Sequence, residues 1–541
     1  MRRGATPTTL VRTAAVVLVA VLSASCSDSD GADEAAGGAS TTNSASVTTV
    51  PVDGDLVGAG GPLELLPLQT AGTRIVDTAG RDVLLRGANL NSLGEYWQGV
   101  PEVDATVEVT ADDWDLMAAN GFSVVRLIVS WSRIEPERGE FDDAYLDEVE
   151  AAVDEAAARG IYTVVDMHQD AFTASLWTED PSTCPEGTVP AKGWDGAPGW
   201  AVTTDGLSTC LRNGDRNSSP AVEAAWNHFY DNTDGTRDHF VAAWAAVAER
   251  FAGNAAVAGY DLLNEPEVSR PAAELQPVYD EFMAQTIESI RTAEREAGAP
   301  FEHIVFVEPA IPAGDLSRGI VVPTEATFAG GTTNAAVSVH NYMESINHII
   351  SLESLNESTQ AMADALGVAS WGGEYGFWDV EPDTLAVGRR YAADEDAHRW
   401  GGAWWQWRQS CGDPHSVQWE NGAVVADAET EVHLNLLGCP GNEPLGPNEE
   451  FLSIVGRSFP RAAPGTIVEL RSDIDGGALL VRGRTATPGA TLVVWHRDGG
   501  AVQIDTEGLG EVTEHRVDGG RYLTAEVTAA DYRFELVGRG A

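Results

Sequence analysis

The stretch Tyr260-Asp261-Leu262-Leu263-Asn264-Glu265-Pro266 ends an apolar run that begins at residue 257. A short apolar run with little alternation is typical of a strand that is buried on both faces of a parallel sheet. Pro266 cannot donate to a ladder, so we predict that the strand ends at Glu265. In a (β/α)8 barrel the carboxyl ends of the strands carry the functional residues. Glu265 is therefore predicted to lie at the mouth of such a barrel.

Seven other apolar segments alternate with helical segments along residues 63–445. The eight strands are predicted at 83–90, 123–129, 161–166, 257–263, 303–307, 335–339, 368–373 and 403–407. Helices are predicted at 112–120, 143–159, 236–251, 279–297, 357–366 and 385–399, and the connection between the fifth and sixth strands is left open. A hairpin at 73–82 is expected to close the bottom of the barrel. This alternation favours an α/β fold, a closed (β/α)8 TIM barrel.

The N-terminal segment has the pattern of an export signal. Residues 1–26 combine Arg2 and Arg3 with a short apolar run that cannot span a bilayer. The sequence Leu22-Ser23-Ala24-Ser25-Cys26 resembles a bacterial lipoprotein cleavage site, which makes Cys26 a candidate for lipidation. We therefore expect an exported protein, either secreted or lipid-anchored at a bacterial cell surface.

Two further regions flank the barrel. Residues 27–62 are rich in Ser, Thr, Ala and Gly, and are predicted to be a disordered tether. Residues 446–541 contain short strand patterns separated by turn residues, without an intervening helical period. They predict a small C-terminal β-sandwich, which we expect to contribute packing, with carbohydrate or membrane binding as the alternative.

The balance of charge is strongly acidic. The 541 residues include 83 Asp and Glu against 33 Lys and Arg, a formal net charge of −50, and Lys192 is the one lysine of the sequence. Such a charge repels nucleic acids and anionic membrane surfaces, so neither is expected as a partner.

Five cysteines are present, and four remain if Cys26 carries lipid. In an exported chain these four favour disulfides, and four cysteines allow three pairings. The pairing of neighbours along the chain, Cys184 with Cys210 and Cys411 with Cys439, is our prediction. A metal site is disfavoured because the spacings are wide and lack a CxxC motif.

A second carboxylate, Glu374, follows the seventh predicted strand, which faces the fourth across the barrel mouth. Two opposed carboxylates can hydrolyse a glycosidic bond, one as acid and one as nucleophile. Other polar or aromatic residues at predicted strand ends are candidates for substrate binding: Arg126, His168, Asn264, His340, Tyr342 and Trp407. Taken singly, each could instead be a cap, a structural ion pair or a core residue. Glu308 also ends a predicted strand, and we interpret it as a residue that lines the site.

Taken together, these residues resemble glycoside hydrolase family 5. The matching motifs are Arg126, His168, Asn264-Glu265-Pro266, His340-Asn341-Tyr342, Gly373-Glu374 and Trp407. The resemblance implies a retaining enzyme with Glu265 as acid/base and Glu374 as nucleophile. Opposite protonation states are then expected, with a raised pKa for Glu265 and an ionised Glu374.

A narrower resemblance is to the endoglycoceramidase group, which cuts the β-bond between a glycan and ceramide. Its motifs include Asp166-Met167-His168-Gln169-Asp170, Val305-Phe306-Val307-Glu308-Pro309, Gly373-Glu374-Tyr375-Gly376 and Phe459-Pro460-Arg461-Ala462. The resemblance implies that His168 and Asp170 hold the sugar next to the cleaved bond. It also implies a lysine after the first strand, where this sequence has Asn91-Ser92-Leu93-Gly94-Glu95. The accepted glycan series and headgroup sugar therefore stay open.

The sequence thus predicts a hydrolase that acts on glycosphingolipids or oligosaccharides, with contact to a substrate-bearing membrane or micelle. Another family 5 β-glycosidase, such as an endoglucanase, β-glucosidase or steryl glucosidase, is the alternative. A non-catalytic carbohydrate-binding surface protein is a third hypothesis, disfavoured because binding does not require both carboxylates. No metal and no cofactor are implied.

Overall fold

The computed structural model describes residues 43–44, 47–50, 56–329, 333–346, 348–378, 380–420, 423–426, 432–475, 477–497 and 503–537. The predicted export signal, Cys26 and the first part of the predicted tether lie outside these residues. Within them, no helix is both long enough and apolar enough to cross a membrane.

Eight parallel strands form the predicted closed barrel. They are Arg86–Leu90, Val124–Ser130, Tyr162–His168, Val257–Asp261, Ile304–Val307, Ala335–Asn341, Ala369–Tyr375 and Gly402–Trp404. Hydrogen-bonded neighbours follow chain order, and the last strand pairs with the first to close the ring. Each strand is buried along its length apart from His340, as expected where helices cover the outer face and side chains fill the inside.

Six of the helices correspond to predicted ones. They are Ala111–Ala119, Asp143–Ala157, Thr236–Arg250, Ala272–Glu296, Leu352–Leu366 and Thr384–His398. Trp131–Ile134 and Pro220–Tyr230 add two helices in the loops after the second and third strands. Between the fifth and sixth strands, the described residues contain the 3-10 turn Leu316–Arg318 and otherwise loop.

The fourth strand ends earlier than predicted, at Asp261 rather than Glu265. Glu265 has a left-handed backbone with φ of 39°, which is incompatible with a strand. Gln169 Nε2 donates to the carbonyls of Asn264 and Glu265 and holds this turn in place. The carboxylate still lies at the mouth, but on a turn rather than on the strand.

The C-terminal region forms a β-sandwich, with one sheet of five strands and one of eight. Its own strands are Phe459–Pro464, Thr466–Ser472, Leu479–Arg484, Thr491–His496, Gln503–Glu507, Val512–Val517, Gly520–Glu526 and Asp531–Val537. The hairpin predicted before the barrel is present as Arg74–Asp77 and Arg81–Val83, but it belongs to the larger sheet. Arg81–Val83 pairs there with Phe459–Pro464.

Two boundaries of the predicted regions need correction. The sandwich begins at Phe459 rather than 446, because helix Glu449–Val455 packs against the barrel through Phe451 and Trp404. In the predicted disordered tether, Asn43–Ser44 and Val47–Val50 are strands that pair with Gln503–Glu507 and Val512–Val517. The β-branched sequence Val47-Thr48-Thr49-Val50 favours such pairing.

The sandwich covers the bottom of the barrel. Arg461 donates to the carbonyls of Phe122 and Gly160, which lie in the loops that lead into the second and third strands. Trp371 and Phe306, on barrel strands, share one apolar cluster with sandwich residues. The opposite end of the barrel carries the long loops, and both predicted disulfides, Cys184–Cys210 and Cys411–Cys439, are present in those loops.

Candidate active site

A cavity of about 190 Å³ opens at the carboxyl ends of the barrel strands, and both Glu265 and Glu374 line it. A carboxylate oxygen of Glu265 and one of Glu374 lie within 4.8 Å of each other. Inverting glycosidases require carboxyl groups about 6.5–9.5 Å apart to admit a water, whereas retaining enzymes have them about 5–5.5 Å apart. The separation in this protein matches the retaining arrangement.

Glu374 is fixed by groups on the barrel strands. Arg126 Nη1 donates to its Oε1 at 2.8 Å, and the Tyr342 hydroxyl donates to its Oε2 at 2.8 Å. Its side chain is only 6% exposed. Because both donors stabilise a negative charge, this arrangement suits an ionised nucleophile.

Arg126 is fully buried and is the centre of a charged network beneath the cavity. It forms ion pairs with Asp166, Asp261, Glu308 and Glu374 at 2.8–3.0 Å. Burial by itself lowers the pKa of Arg126, but these carboxylates raise it well above its usual value. The guanidinium is therefore a permanent positive charge, which offsets part of the cost of burying so many carboxylates.

Glu265 has different partners. His340 Nδ1 lies 3.0 Å from its Oε1, and Arg216 Nη2 donates to its Oε2 at 2.6 Å. Burial raises the pKa of Glu265, but the His340 hydrogen bond and the Arg216 charge lower it further, so the net direction is downward. The raised pKa that the sequence predicted is therefore wrong for this arrangement. The reasons are the hydrogen bond from His340 and the charge of Arg216, which comes from the long loop after the third strand.

Glu308, interpreted from the sequence as lining, does line the cavity and also links its buried groups. Its Oε1 lies 3.0 Å from both Arg126 Nη2 and His340 Nε2, and its Oε2 accepts the Glu265 amide at 2.9 Å. Burial raises the pKa of Glu308 to about 7, against the opposing effect of His340 and Arg126.

His168 and Asp170 lie on another wall of the same cavity. His168 Nδ1 is 2.7 Å from Asp166, and its ring stacks on Trp405 with centroids 5.4 Å apart. Burial lowers the pKa of His168, but Asp195 and Asp166 raise it to about 9.

Asp170 is held ionised by two cations. Arg216 and His415 lie 2.5 and 3.2 Å from its two carboxylate oxygens. Burial raises the pKa of Asp170, but these two neighbours bring it down to about 2. Asn264 lines the cavity next to these groups, with its Nδ2 donating to the Gln169 carbonyl.

Trp407 does not reach the cavity. It is 1% exposed, its Nε1 donates to Asp113, and its ring packs edge-on against Phe122. The eighth strand ends at Trp404, so Trp405 turns into the cavity and Trp407 turns away from it. The prediction that Trp407 reaches the site is therefore wrong, and Trp405 lines the cavity instead.

Arg216 and His415 were missed by the sequence analysis. Both lie in loops, with no strand end or periodic pattern to place them. The available signal was indirect, since Arg216 follows the Cys184–Cys210 loop and His415 lies inside the Cys411–Cys439 loop. A disulfide restricts the conformations of the loop that it closes.

One wall of the cavity is apolar. It is formed by side chains from the loops after the fifth and sixth strands and from helix Leu352–Leu366, namely Ile311, Ala313, Ile320, Met343, Ile346 and Leu355. The cavity that holds Glu265 and Glu374 is therefore lined by both charged and apolar side chains.

Among the residues that the structure describes, three groups of His and carboxylate residues are close enough to hold a metal ion. They are Glu265 with His340 and Glu374, Asp166 with Asp261 and Glu308, and His168 with Asp170 and Asp195. In each group protein cations already face carboxylates: His340 in the first, Arg126 in the second, and Arg216 with His415 in the third. Asp195 differs from the other carboxylates of these groups. Its oxygens have no hydrogen bond among the described residues, and burial raises its pKa to about 8.

A (β/α)8 barrel with two carboxylates at this separation defines the class of retaining glycosidases. The family described as Cellulase (glycosyl hydrolase family 5) matches residues 76–411. Since the match covers more than half of the chain, the protein belongs to glycosyl hydrolase family 5.

Proteins similar to this chain include endoglycoceramidases and an endogalactoceramidase. A solved structure of an endogalactoceramidase is 35% identical, has a TM-score of 0.77, and covers 87% of this chain and 100% of that chain. Endoglycoceramidase I of Rhodococcus hoagii (strain 103S) is 34% identical over 206 residues, 37% of each chain. Endoglycoceramidase of Cyanea nozakii is 26% identical over 287 residues, 45% of this chain and 53% of the relative. The chain thus spans between about a third and a half of these two curated relatives.

Proposed function

We propose that the protein is a retaining endo-β-glycosidase that hydrolyses the bond between the glycan and the ceramide of glycosphingolipids. Glu374 attacks the anomeric carbon while Glu265 donates a proton to the departing ceramide oxygen, which leaves as an alcohol. Water then hydrolyses the glycosyl-enzyme ester, with Glu265 accepting the proton of that water. The short separation of the two carboxylates supports this double displacement.

The cavity walls support the choice of substrate. His168 and Asp170 offer charged hydrogen-bonding groups to sugar hydroxyls, and Trp405 offers a flat face to a sugar ring. Asn264 lies beside Glu265 and is placed to bind the 2-hydroxyl, whose hydrogen bond strengthens in the transition state. The apolar part of the lining suits a lipid chain, because burial of hydrocarbon gains about 0.8 kcal/mol for each methylene. The presence of charged and apolar groups in the lining of one cavity is the observation that carries the proposal.

The proposed compartment follows from other features. We infer that the protein is exported and works on substrate presented by a membrane or micelle. Residues 1–26 support export, and the two disulfides favour an oxidising compartment.

Product analysis tests the proposal directly. The full chain is incubated with detergent-dispersed glycosphingolipids, and separately with cello-oligosaccharides and a steryl β-glucoside. We expect intact oligosaccharide and ceramide from the first substrate, with the newly freed glycan initially in the β-configuration by NMR.

Other results would change or contradict the proposed function. Cleavage of the oligosaccharide or the steryl glucoside alone would assign a different family 5 specificity, and an initial α-product would overturn the role of Glu374. Glycan binding without hydrolysis of any of these substrates would indicate a carbohydrate-binding protein.

A further inference from the structure

Glu308 lies behind the cavity, between the groups that hold the two catalytic carboxylates. We propose that Glu308 is a positioning residue that controls the protonation of Glu265 by acting through His340. This inference rests on the proposed roles of Glu265 and Glu374.

The contacts of Glu308 reach Glu265 by two routes. Its Oε1 lies 3.0 Å from His340 Nε2, while the other ring nitrogen, Nδ1, lies 3.0 Å from the Glu265 carboxylate. Its Oε2 accepts the Glu265 amide at 2.9 Å. One carboxylate that is 3% exposed therefore fixes both the main chain and the hydrogen-bond partner of the acid/base residue.

The main-chain contact matters because Glu265 is strained. A φ of 39° is rare for a residue other than glycine, and persists only where the surroundings hold it. Glu308 accepts from the amide of this turn, and Gln169 donates to its carbonyls. The carboxylate of Glu265 is thereby aimed into the cavity.

The contact with His340 provides the proton. When His340 carries a proton on each ring nitrogen, the one on Nδ1 can pass to Oε1 of Glu265. The imidazole is then neutral, and the nitrogen that keeps its proton, Nε2, lies 3.0 Å from Oε1 of the ionised Glu308. Glu265 gives the transferred proton to the leaving alcohol and later regains one from the attacking water. The proton balance of the cycle is therefore closed.

The charged groups around this pair are mostly carboxylates, and Asp166 is one of them, with an oxygen within 4.8 Å of one of Glu308. His340 faces the carboxylates of Glu265, Glu308 and Glu374. Glu308 also forms an ion pair with Arg126. The charge of Asp261 raises the pKa of Glu308, and the charge of Glu308 raises the pKa of Tyr279. Burial lowers the pKa of His340, but Glu308 and Glu374 raise it well above its ordinary value. Without the charge of Glu308, His340 would lose its proton at a lower pH.

The test compares two leaving groups in the variant Glu308→Gln. Octyl and 2,4-dinitrophenyl β-glycosides of one sugar that the wild type hydrolyses serve as substrates. An alkoxide needs protonation to leave and a dinitrophenolate does not. We expect kcat/KM to fall about 100-fold for the octyl glycoside and less than about 5-fold for the dinitrophenyl glycoside. The alkaline limb of the octyl pH profile should move to lower pH.

Two variants serve as controls. Glu308→Asp retains the charge and should return the alkaline limb toward the wild-type position. Should Glu308→Gln fail to fold, the aspartate variant carries the test, because its shortened side chain should still reduce the octyl rate more than the dinitrophenyl rate. Glu267→Gln alters another buried carboxylate, which accepts the amides of Ala313 and Gly314, and should leave the limb unchanged.

Equal losses on both glycosides, with an unmoved alkaline limb, would overturn the proposal and leave Glu308 a purely structural residue. The wild-type measurements separate this result from failure of the proposed function. A wild type that hydrolyses the aryl and octyl glycosides but leaves glycosphingolipids intact would refute only the lipid specificity.

Discussion

The two carboxylates of the cavity differ in what holds them. Glu374 lies on a barrel strand and is bound by Arg126 and Tyr342, which belong to the second strand and to the end of the sixth. Glu265 lies on a strained turn, and Arg216 reaches it from a loop. The charge of the proposed nucleophile is therefore built into the barrel, whereas that of the proposed acid/base depends on a loop residue.

This difference has a chemical reason. A nucleophile must be ionised when the substrate arrives, so rigid donors suit it. An acid/base residue must gain and lose a proton in each cycle, so its partners have to allow both states. Before Glu265 can act as an acid, its ion pair with Arg216 must break or it must take the proton of His340.

The largest expected effect is at Glu374. Glu374→Gln removes the nucleophile, and we expect kcat to fall by at least about 10⁴-fold for both octyl and aryl glycosides. Binding should persist, since the cavity walls are unchanged, and calorimetry with an intact substrate measures it. Retention of substantial turnover in this variant would place the nucleophile elsewhere.

Glu265→Ala should be leaving-group dependent. We expect a loss of about 10²–10⁴-fold for the octyl glycoside and a smaller loss for the first step with the dinitrophenyl glycoside. Added azide should restore turnover and give a β-glycosyl azide, because it attacks the glycosyl-enzyme from the side that Glu265 normally serves. An α-azide, or no rescue at any concentration, would contradict the assigned roles.

The apolar wall should affect only lipid substrates. Ile346→Ser removes hydrocarbon from this wall, and we expect a roughly 10-fold lower kcat/KM for a long-chain glycosylceramide, from a loss of about 1.5 kcal/mol. The aryl glycoside should be hydrolysed at the wild-type rate. Val468→Ser, on an exposed position of the sandwich, is the matched control and should change neither substrate.

The smallest expected effect is a shift in pH dependence. The charge of Arg216 lowers the pKa of Glu265, so Arg216→Met should raise that pKa and move the alkaline limb of kcat/KM upward by about one pH unit. The direction is opposite to that expected for Glu308→Gln. Arg216→Lys keeps the charge and should stay near the wild type. An unmoved limb in Arg216→Met would show that His340 rather than Arg216 sets the pKa of Glu265, and a downward shift would contradict the assigned effect of the Arg216 charge.

The sequence predicted the barrel well because its strands are apolar, short and separated by clear helical patterns. Glu265, Glu374, Arg126 and Tyr342 were found because each follows or lies on such a strand, and parallel strand ends converge at one mouth. Strand patterns do not place the residues that follow the end of a strand. Trp407 was chosen as the last residue of the predicted strand 403–407, whereas the strand in the structure ends at Trp404.

Residues outside the strands were not predictable in this way. Arg216 reaches Glu265 across a separation of 49 residues along the chain, and no local pattern encodes such a contact. The error in the pKa of Glu265 has two sources, the omitted charge of Arg216 and the hydrogen bond with His340, which the sequence analysis did not assign to Glu265. Helix Glu449–Val455 was missed for another reason, since it is only 7 residues long.

The sandwich makes the two ends of the barrel different. The strand Val47–Val50 precedes the barrel in the sequence. It forms one edge of the larger sheet of the sandwich, which covers the bottom of the barrel. The mouth opens at the other end. If lipid on Cys26 tied the chain to its own cell, the mouth would point outward, toward lipids carried by other membranes or by particles in the medium.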